Sequence, residues 1–103
     1  MHEISNTSVM LQAVENRLMD RIVSITDRSD ELFTRALIIF TNGYGVSVVR
    51  GPYSYGGNQG LFEVAVTNAH GELCENPVTD DVLGYLDRDE VALAAAEVAA
   101  LPR

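Results

Sequence analysis

The chain contains no lysine, and its seven basic residues, all arginine, stand against fifteen carboxylates. The formal net charge is therefore −8. A surface of that sign repels phosphate groups, so long-range electrostatics disfavours direct binding to nucleic acid. The same charge favours basic partners, including proteins that themselves bind nucleic acid. Solubility is the alternative explanation, because acidic surfaces keep small domains dispersed.

Cysteine and long apolar runs are also scarce. The single cysteine, Cys74, cannot form an internal disulfide, which is consistent with a reducing compartment. No run of about 18 apolar residues is present, so no membrane-spanning helix is expected. The start Met1-His2-Glu3 lacks the pattern of a secretory signal, and we expect a cytoplasmic location.

The charge is distributed unevenly along the chain. Residues 1–50 hold six acids and five arginines, whereas residues 51–103 hold nine acids and two arginines. The second half therefore carries −7 of the total, which is where an anionic interaction surface is expected.

The apolar content, 47% of 103 residues, is enough for one domain, residues 1–103, with its own core. Helical spacing predicts a first helix over about residues 5–26, capped by Asn6, Thr7 or Ser8. Residues 1–30 are expected to be a helical extension that packs on a sheet or on a partner. The apolar stripe of this helix comprises Leu11, Val14, Leu18, Ile22 and Ile25.

A β-hairpin is predicted around Asn42-Gly43, with strands over about 36–41 and 44–50, because this dipeptide tolerates positive φ in tight turns. With Asn42 and Gly43 as a two-residue loop, Thr41 would face Tyr44. The same register would pair Ile39 with Val46 and Leu37 with Val48. One face of the hairpin would then be almost wholly apolar.

Turn-forming residues and the alternation of apolar with polar residues predict the remaining elements. A loop is expected over 51–60, a strand over 61–67, a short strand over 72–75 and a helical turn capped by Thr79. Asp87 and Glu90 have capping-box spacing, so a last helix should begin there. The predicted fold class is α+β: an N-terminal helix, a four-stranded, mostly antiparallel meander and one or two short C-terminal helices.

Catalytic and cofactor motifs are not evident. The only candidate pair of base and nucleophile is His70 and Cys74, on either side of one turn. No further residue that would complete a catalytic site is recognisable in the sequence. No phosphate-binding loop or dinucleotide fingerprint is found, and the adjacent Asp80 and Asp81 would diverge on a helix rather than chelate a metal. We therefore expect no catalytic residue, no metal and no cofactor.

A binding loop is the clearest functional signal. Tyr53 and Tyr55 lie among serine, asparagine and glycine, the mixture typical of interaction loops. The alternative is that both tyrosines fold back and cover the end of the sheet. A tyrosine loop framed by carboxylates suits an arginine-rich protein surface. The predicted partner-binding residues are Tyr53, Tyr55, Glu63, Glu72, Glu75, Asp80, Asp81, Asp87 and Asp89.

Three stretches resemble a group of small proteins from bacteriophages and other mobile elements: Asn42-Gly43-Tyr44-Gly45-Val46-Ser47-Val48, Pro52-Tyr53-Ser54-Tyr55-Gly56-Gly57 and Gly60-Leu61-Phe62-Glu63-Val64-Ala65-Val66. A later Thr79–Leu86 stretch shares the resemblance, which covers roughly residues 40–90. No site residue is implied by it. The implied context is an inhibitor of host defences that acts in the cytoplasm of a bacterial host, such as an anti-CRISPR protein that covers or imitates a nucleic-acid site.

Three hypotheses follow. The leading one is a non-enzymatic inhibitor that binds a basic surface of a host defence protein, with a CRISPR effector complex as the most specific target. The first alternative is a self-associating assembly module that forms a homodimer through the 8–26 helix. The second alternative is a small enzyme using Cys74 and His70.

Overall fold

The computed structural model describes residues 6–30, 32–79 and 82–102. Five strands form one antiparallel sheet, in which each strand pairs with its neighbours in the chain. One helix precedes the sheet and one follows it, so the α+β meander is confirmed, with five strands rather than four. The elements are α1 (Asn6–Leu18), β1 (Ile22–Asp27), β2 (Thr34–Phe40), β3 (Tyr44–Arg50), β4 (Phe62–Asn68), β5 (Val82–Leu86) and α2 (Arg88–Ala99).

Both helices contribute to a core on one face of the sheet. Helix α2 lies against β3, β4 and β5, and α1 packs against α2. Strand β4 alternates as predicted, with Phe62, Val64 and Val66 buried. The fully buried side chains of the helices include Met10, Val14, Val91 and Val98. The opposite face of the sheet has no helix over it among the described residues.

The first helix is shorter than predicted, since it ends at Leu18 and residues 22–27 form β1. A shift in register between Ile22 and Ser24 marks a bulge where β1 pairs with β2. Because of this bulge, Ile22 and Ile25 both pack against the core although they are three residues apart. Their spacing therefore resembles that of a helical stripe. Pairing with the edge of β2 makes this segment a strand.

The hairpin is present, but its predicted register is wrong by one residue. The loop has three residues, Thr41 to Gly43, and only Gly43 has a positive φ, 88°. Ile38 therefore faces Val46, and Ile39 faces Gly45. This shift moves residues 37 and 39 away from the helices and places residues 36, 38 and 40 in the core.

The region after β4 also differs from the prediction. The expected strand over 72–75 is a single bridge between Thr67 and Leu73, and the expected helical turn after Thr79 is replaced by β5. The unpaired edge of β4 explains this outcome, because its backbone groups need hydrogen-bonding partners. Asp80 and Asp81 lie outside the described residues.

The last helix begins where its capping box predicts. The Asp87 carboxylate accepts a hydrogen bond from the Glu90 backbone N–H at 2.8 Å, and the Glu90 carboxylate accepts one from the Asp87 N–H at 3.1 Å. These reciprocal bonds satisfy backbone donors that the first helical turn leaves without partners. One C-terminal helix of 12 residues is formed.

Candidate functional site

The loop between β3 and β4 carries the most exposed aromatic side chain of the described residues. Tyr53 is 96% exposed. The loop beneath it is ordered by Ser54, whose hydroxyl accepts from the Gly51 N–H at 2.9 Å and donates to the Gly51 carbonyl at 3.0 Å. Tyr53 therefore projects from a structured turn, and its ring covers none of the sheet.

Tyr55 behaves differently, because it packs on β5. A Cβ built on Gly84 would lie 2.6 Å from Tyr55 Cβ, so only glycine leaves room for this contact. The Tyr55 ring centroid lies 6.4 Å from that of Tyr85, and the Tyr85 N–H donates to the Tyr55 carbonyl at 3.3 Å. Tyr55 thus covers the sheet edge in part, yet it remains 58% exposed.

Tyr85 belongs to the same surface and was missed by the sequence analysis. It is exposed, and it is the only described residue other than glycine with a positive φ, 59°. A left-handed backbone is unfavourable for an aromatic residue, and such conformations cluster at functional positions. The tyrosine in the Thr79–Leu86 stretch was the available signal, but placing it required β5.

Carboxylates follow this tyrosine surface directly in the chain. Asp87 and Asp89 are exposed at the start of α2, two and four residues after Tyr85. Asp87 has a structural role as the helix cap, whereas Asp89 is favoured in the first turn by the helix dipole. Three tyrosines and these two carboxylates form what we call the tyrosine end: Tyr53, Tyr55, Tyr85, Asp87 and Asp89.

The other predicted partner residues lie apart from the tyrosine end. Glu63 is half-buried on β4, opposite Val49, and alternation places it on the face without helices. Glu72 and Glu75 are exposed beyond the far end of β4, whose seven residues span about 20 Å. The predicted surface is therefore divided into separate areas, with Asp80 and Asp81 outside the described residues.

The side chains of His70 and Cys74 lie in different environments. His70 is exposed in the turn after β4 and lines a cavity on the face without helices. Cys74 is half-buried and packs against the core cluster. Within residues 6–30, 32–79 and 82–102, no group of three histidine, cysteine or carboxylate side chains is arranged to hold a metal ion.

The apolar stripe of α1 packs into the core of its own chain. Val14 and Leu18 are buried in the core shared with α2 and the sheet. A homodimer through the 8–26 helix would need an apolar face that these residues have already buried, and residues 22–26 of that segment are strand.

None of the helices in the described part of the chain is long and apolar enough to cross a membrane. Comparisons of this chain with protein-family models, with curated proteins and with solved structures found no match.

Proposed function

We propose that this protein is a non-enzymatic inhibitor that binds a basic surface of a nucleic-acid-handling host defence protein. An anti-CRISPR that blocks a CRISPR effector complex is the most specific form of the proposal. The observation that carries it is the position of Tyr53, which projects with 96% of its surface exposed from a hydrogen-bonded turn.

An exposed tyrosine on an ordered loop is suited to binding. Its ring offers a large contact area, and few side-chain rotamers are lost when it is buried by a partner. Tyrosine is also enriched among the residues that dominate binding energy at protein interfaces. Tyr55 and Tyr85 extend the aromatic surface beside it.

The charge of the segment that follows Tyr85 favours a cationic partner, because Asp87-Arg88-Asp89-Glu90 has three acids and one arginine. Asp87 and Asp89 follow β5, and the half of the chain that contains the tyrosine end carries −7. Arginine side chains of a partner would be attracted by the carboxylates and would stack on the tyrosine faces. Basic surfaces that bind a nucleic-acid backbone present such arginine side chains.

Glu72 and Glu75 serve as secondary contacts in this proposal. Their distance from the loop means that they reach only a partner that extends along the length of β4. Glu63, on the face without helices, contributes to the field rather than to the contact.

Co-purification of the tagged protein with purified CRISPR effector complexes tests the proposal. We expect the complex to weaken about tenfold or more in Tyr53→Ala, the size of a typical hot-spot loss. Asn58→Ala in the same loop is the matched control and should bind normally. Asp89→Asn should slow association at low salt, whereas Glu97→Gln, which removes one charge from the exposed side of the same helix, should not.

Two results would contradict the proposal. One is a complex that forms equally well with Tyr53→Ala and with Asn58→Ala. The other is light scattering that shows a stable homodimer dissociated by Tyr53→Ala, because the tyrosine end would then be a contact between copies of this chain.

A further inference from the structure

A cavity of about 550 Å³ lies on the face of the sheet that the helices leave uncovered. Its floor includes Leu37, Ser47 and Val49, which the hairpin register places on this face. The volume is within the range of about 300–1,000 Å³ that is usual for small-molecule sites. The residues of the tyrosine end do not line it.

One wall of the cavity is the turn that follows β4. The Asn68 side-chain carbonyl accepts hydrogen bonds from the His70 N–H at 2.8 Å and from the Glu72 N–H at 3.1 Å. Gly71 has a φ of 81°, and a Cβ on it would lie 2.8 Å from a methyl carbon of Leu37. The turn therefore rests on Leu37, and this contact holds His70 at the cavity.

Two arginines lie side by side at the other wall. The Arg28 N–H donates to the Arg35 carbonyl at 2.8 Å, so their backbones are neighbours just past the end of the β1–β2 pairing. Both line the cavity. Two guanidinium side chains on one wall give this cavity a positive charge that suits an anion.

The positive charge at this cavity contrasts with the protein as a whole. Among the described residues that line it, none is acidic, although the chain carries −8. Three acids lie close to the lining residues without lining the cavity. Asp27 directly precedes Arg28, the charge of Arg35 acts on Asp30, and Glu63 lies across Val49 from Arg35. The Arg35 guanidinium also lies 5.0 Å from the centroid of the Phe33 ring.

We propose that this cavity binds a small organic anion. Its carboxylate or phosphate lies between Arg28 and Arg35, since guanidinium groups bind both anions through paired hydrogen bonds. A short apolar part rests on Leu37 and Val49, and His70 closes the site from the side of the turn. This site is separate from the surface of the proposed function, so either proposal can fail alone.

The test is an NMR titration of the full chain with hexanoate, hexyl phosphate and neutral 1-hexanol. We expect saturable shifts of the Thr26, Leu37 and Gly71 amides with at least one of the two anions. The neutral alcohol should bind about tenfold more weakly, because it lacks the charge-assisted hydrogen bonds. The tighter of the two anions identifies the head group as a carboxylate or a phosphate.

Matched arginine variants locate the charge that binds the anion. Arg28→Gln and Arg35→Gln should each weaken binding of the preferred anion about tenfold. Arg17→Gln, on α1 at the helix side of the molecule, removes the same charge and should leave the affinity unchanged.

Three outcomes would overturn the proposal. The first is equal affinity for 1-hexanol and for both anions, and the second is no saturable shift at the cavity with either anion. The third is a set of shifts at the same amides that depends on protein concentration alone, because a second copy of the chain would then cover this face.

Discussion

The side-chain amide of Asn42 donates hydrogen bonds to the backbone carbonyls of Val98 at 2.8 Å and of Leu101 at 2.9 Å. Its oxygen accepts from the Tyr44 N–H at 3.0 Å. One side chain in the β2–β3 loop therefore binds two carbonyls at and just beyond the end of α2, of which that of Val98 also accepts from the Leu101 N–H at 3.1 Å. This contact joins the sheet to the last helix.

Asn42→Ala should lower the free energy of unfolding by about 2 kcal/mol, because two hydrogen bonds to helix-end carbonyls are lost. Denaturant unfolding measures the change, and Asn58→Ala in the exposed 51–60 loop is the control. Asn42→Asp should be at least as destabilising, since it removes the donor and brings negative charge to the helix C-terminus. Equal stability of Asn42→Ala and the native protein would contradict this role.

Gly45→Ala should destabilise the fold by about 1–3 kcal/mol through overpacking. A Cβ at this position would lie 2.7 Å from the Ile38 carbonyl oxygen, from Ile39 Cδ1 and from Thr67 Oγ1. The backbone oxygen cannot move away without disturbing the β2–β3 pairing. Thermal unfolding measures the change, and Ser47→Ala on the same strand and face is the control. If Gly45→Ala were as stable as that control, the strands would be able to separate to admit a methyl group.

Tyr85→Asn should raise the free energy of unfolding by about 1 kcal/mol. The backbone φ of 59° is unfavourable for tyrosine, whereas asparagine tolerates this region. The contact with the Tyr55 ring is lost in the variant, but the Tyr85 side chain is largely exposed, so its loss costs little. Chemical denaturation compares it with Tyr53→Asn, which should be neutral; a destabilised Tyr85→Asn would mean that the ring contact outweighs the backbone strain.

Asp30 should contribute stability only when it is ionised. Hydrogen bonds from the Phe33 N–H at 2.8 Å and the Leu32 N–H at 2.9 Å, with the charge of Arg35, hold the pKa of Asp30 below its ordinary 3.8. A carboxyl group whose pKa is lower in the folded state stabilises the fold above its unfolded pKa and loses this effect as the pH falls through the folded pKa. Asp30→Asn should therefore be less stable than the native protein above about pH 4.

The stability difference between Asp30→Asn and the native protein should shrink as the solution is acidified below that point. Urea unfolding at neutral and at strongly acidic pH measures it for both proteins. A difference that persists unchanged when Asp30 is protonated would mean that the side chain acts through packing and not through its charge.

Local signals predicted the elements that depend on neighbours in the chain. The alternation of Phe62, Val64 and Val66 and the capping box of Asp87 with Glu90 are both present as expected. Each is decided within a few residues, by the two-residue period of a strand or by hydrogen bonds inside one helical turn.

The errors occurred where distant residues decide the outcome. The Asn-Gly dipeptide marks the turn, but the three-residue loop accompanies the bonds of Asn42 to Val98 and Leu101, about sixty positions along the chain. Strand β5 likewise depends on the unpaired edge of β4. Ile22 and Ile25 have a spacing that suits a helix or a bulged strand, and only the pairing with β2 separates these.

The candidate site divides in the same way. The exposed Tyr53 loop was recognisable from composition. Tyr85 joins it only through the pairing of β5. Arg28, Arg35 and His70 line one cavity, where the turn at Gly71 rests on Leu37. Contacts of this kind depend on the curvature of the whole sheet, which no local pattern records.

The packing of α1 against α2 has a consequence for synthesis of the protein. Because the second helix is made after the sheet, β3 and β4 leave the ribosome before the layer that shields Val46 and Val64 is complete. During that interval the nascent sheet exposes an apolar face, the kind of surface that chaperones bind. Premature termination before residue 88 should thus yield an aggregating product.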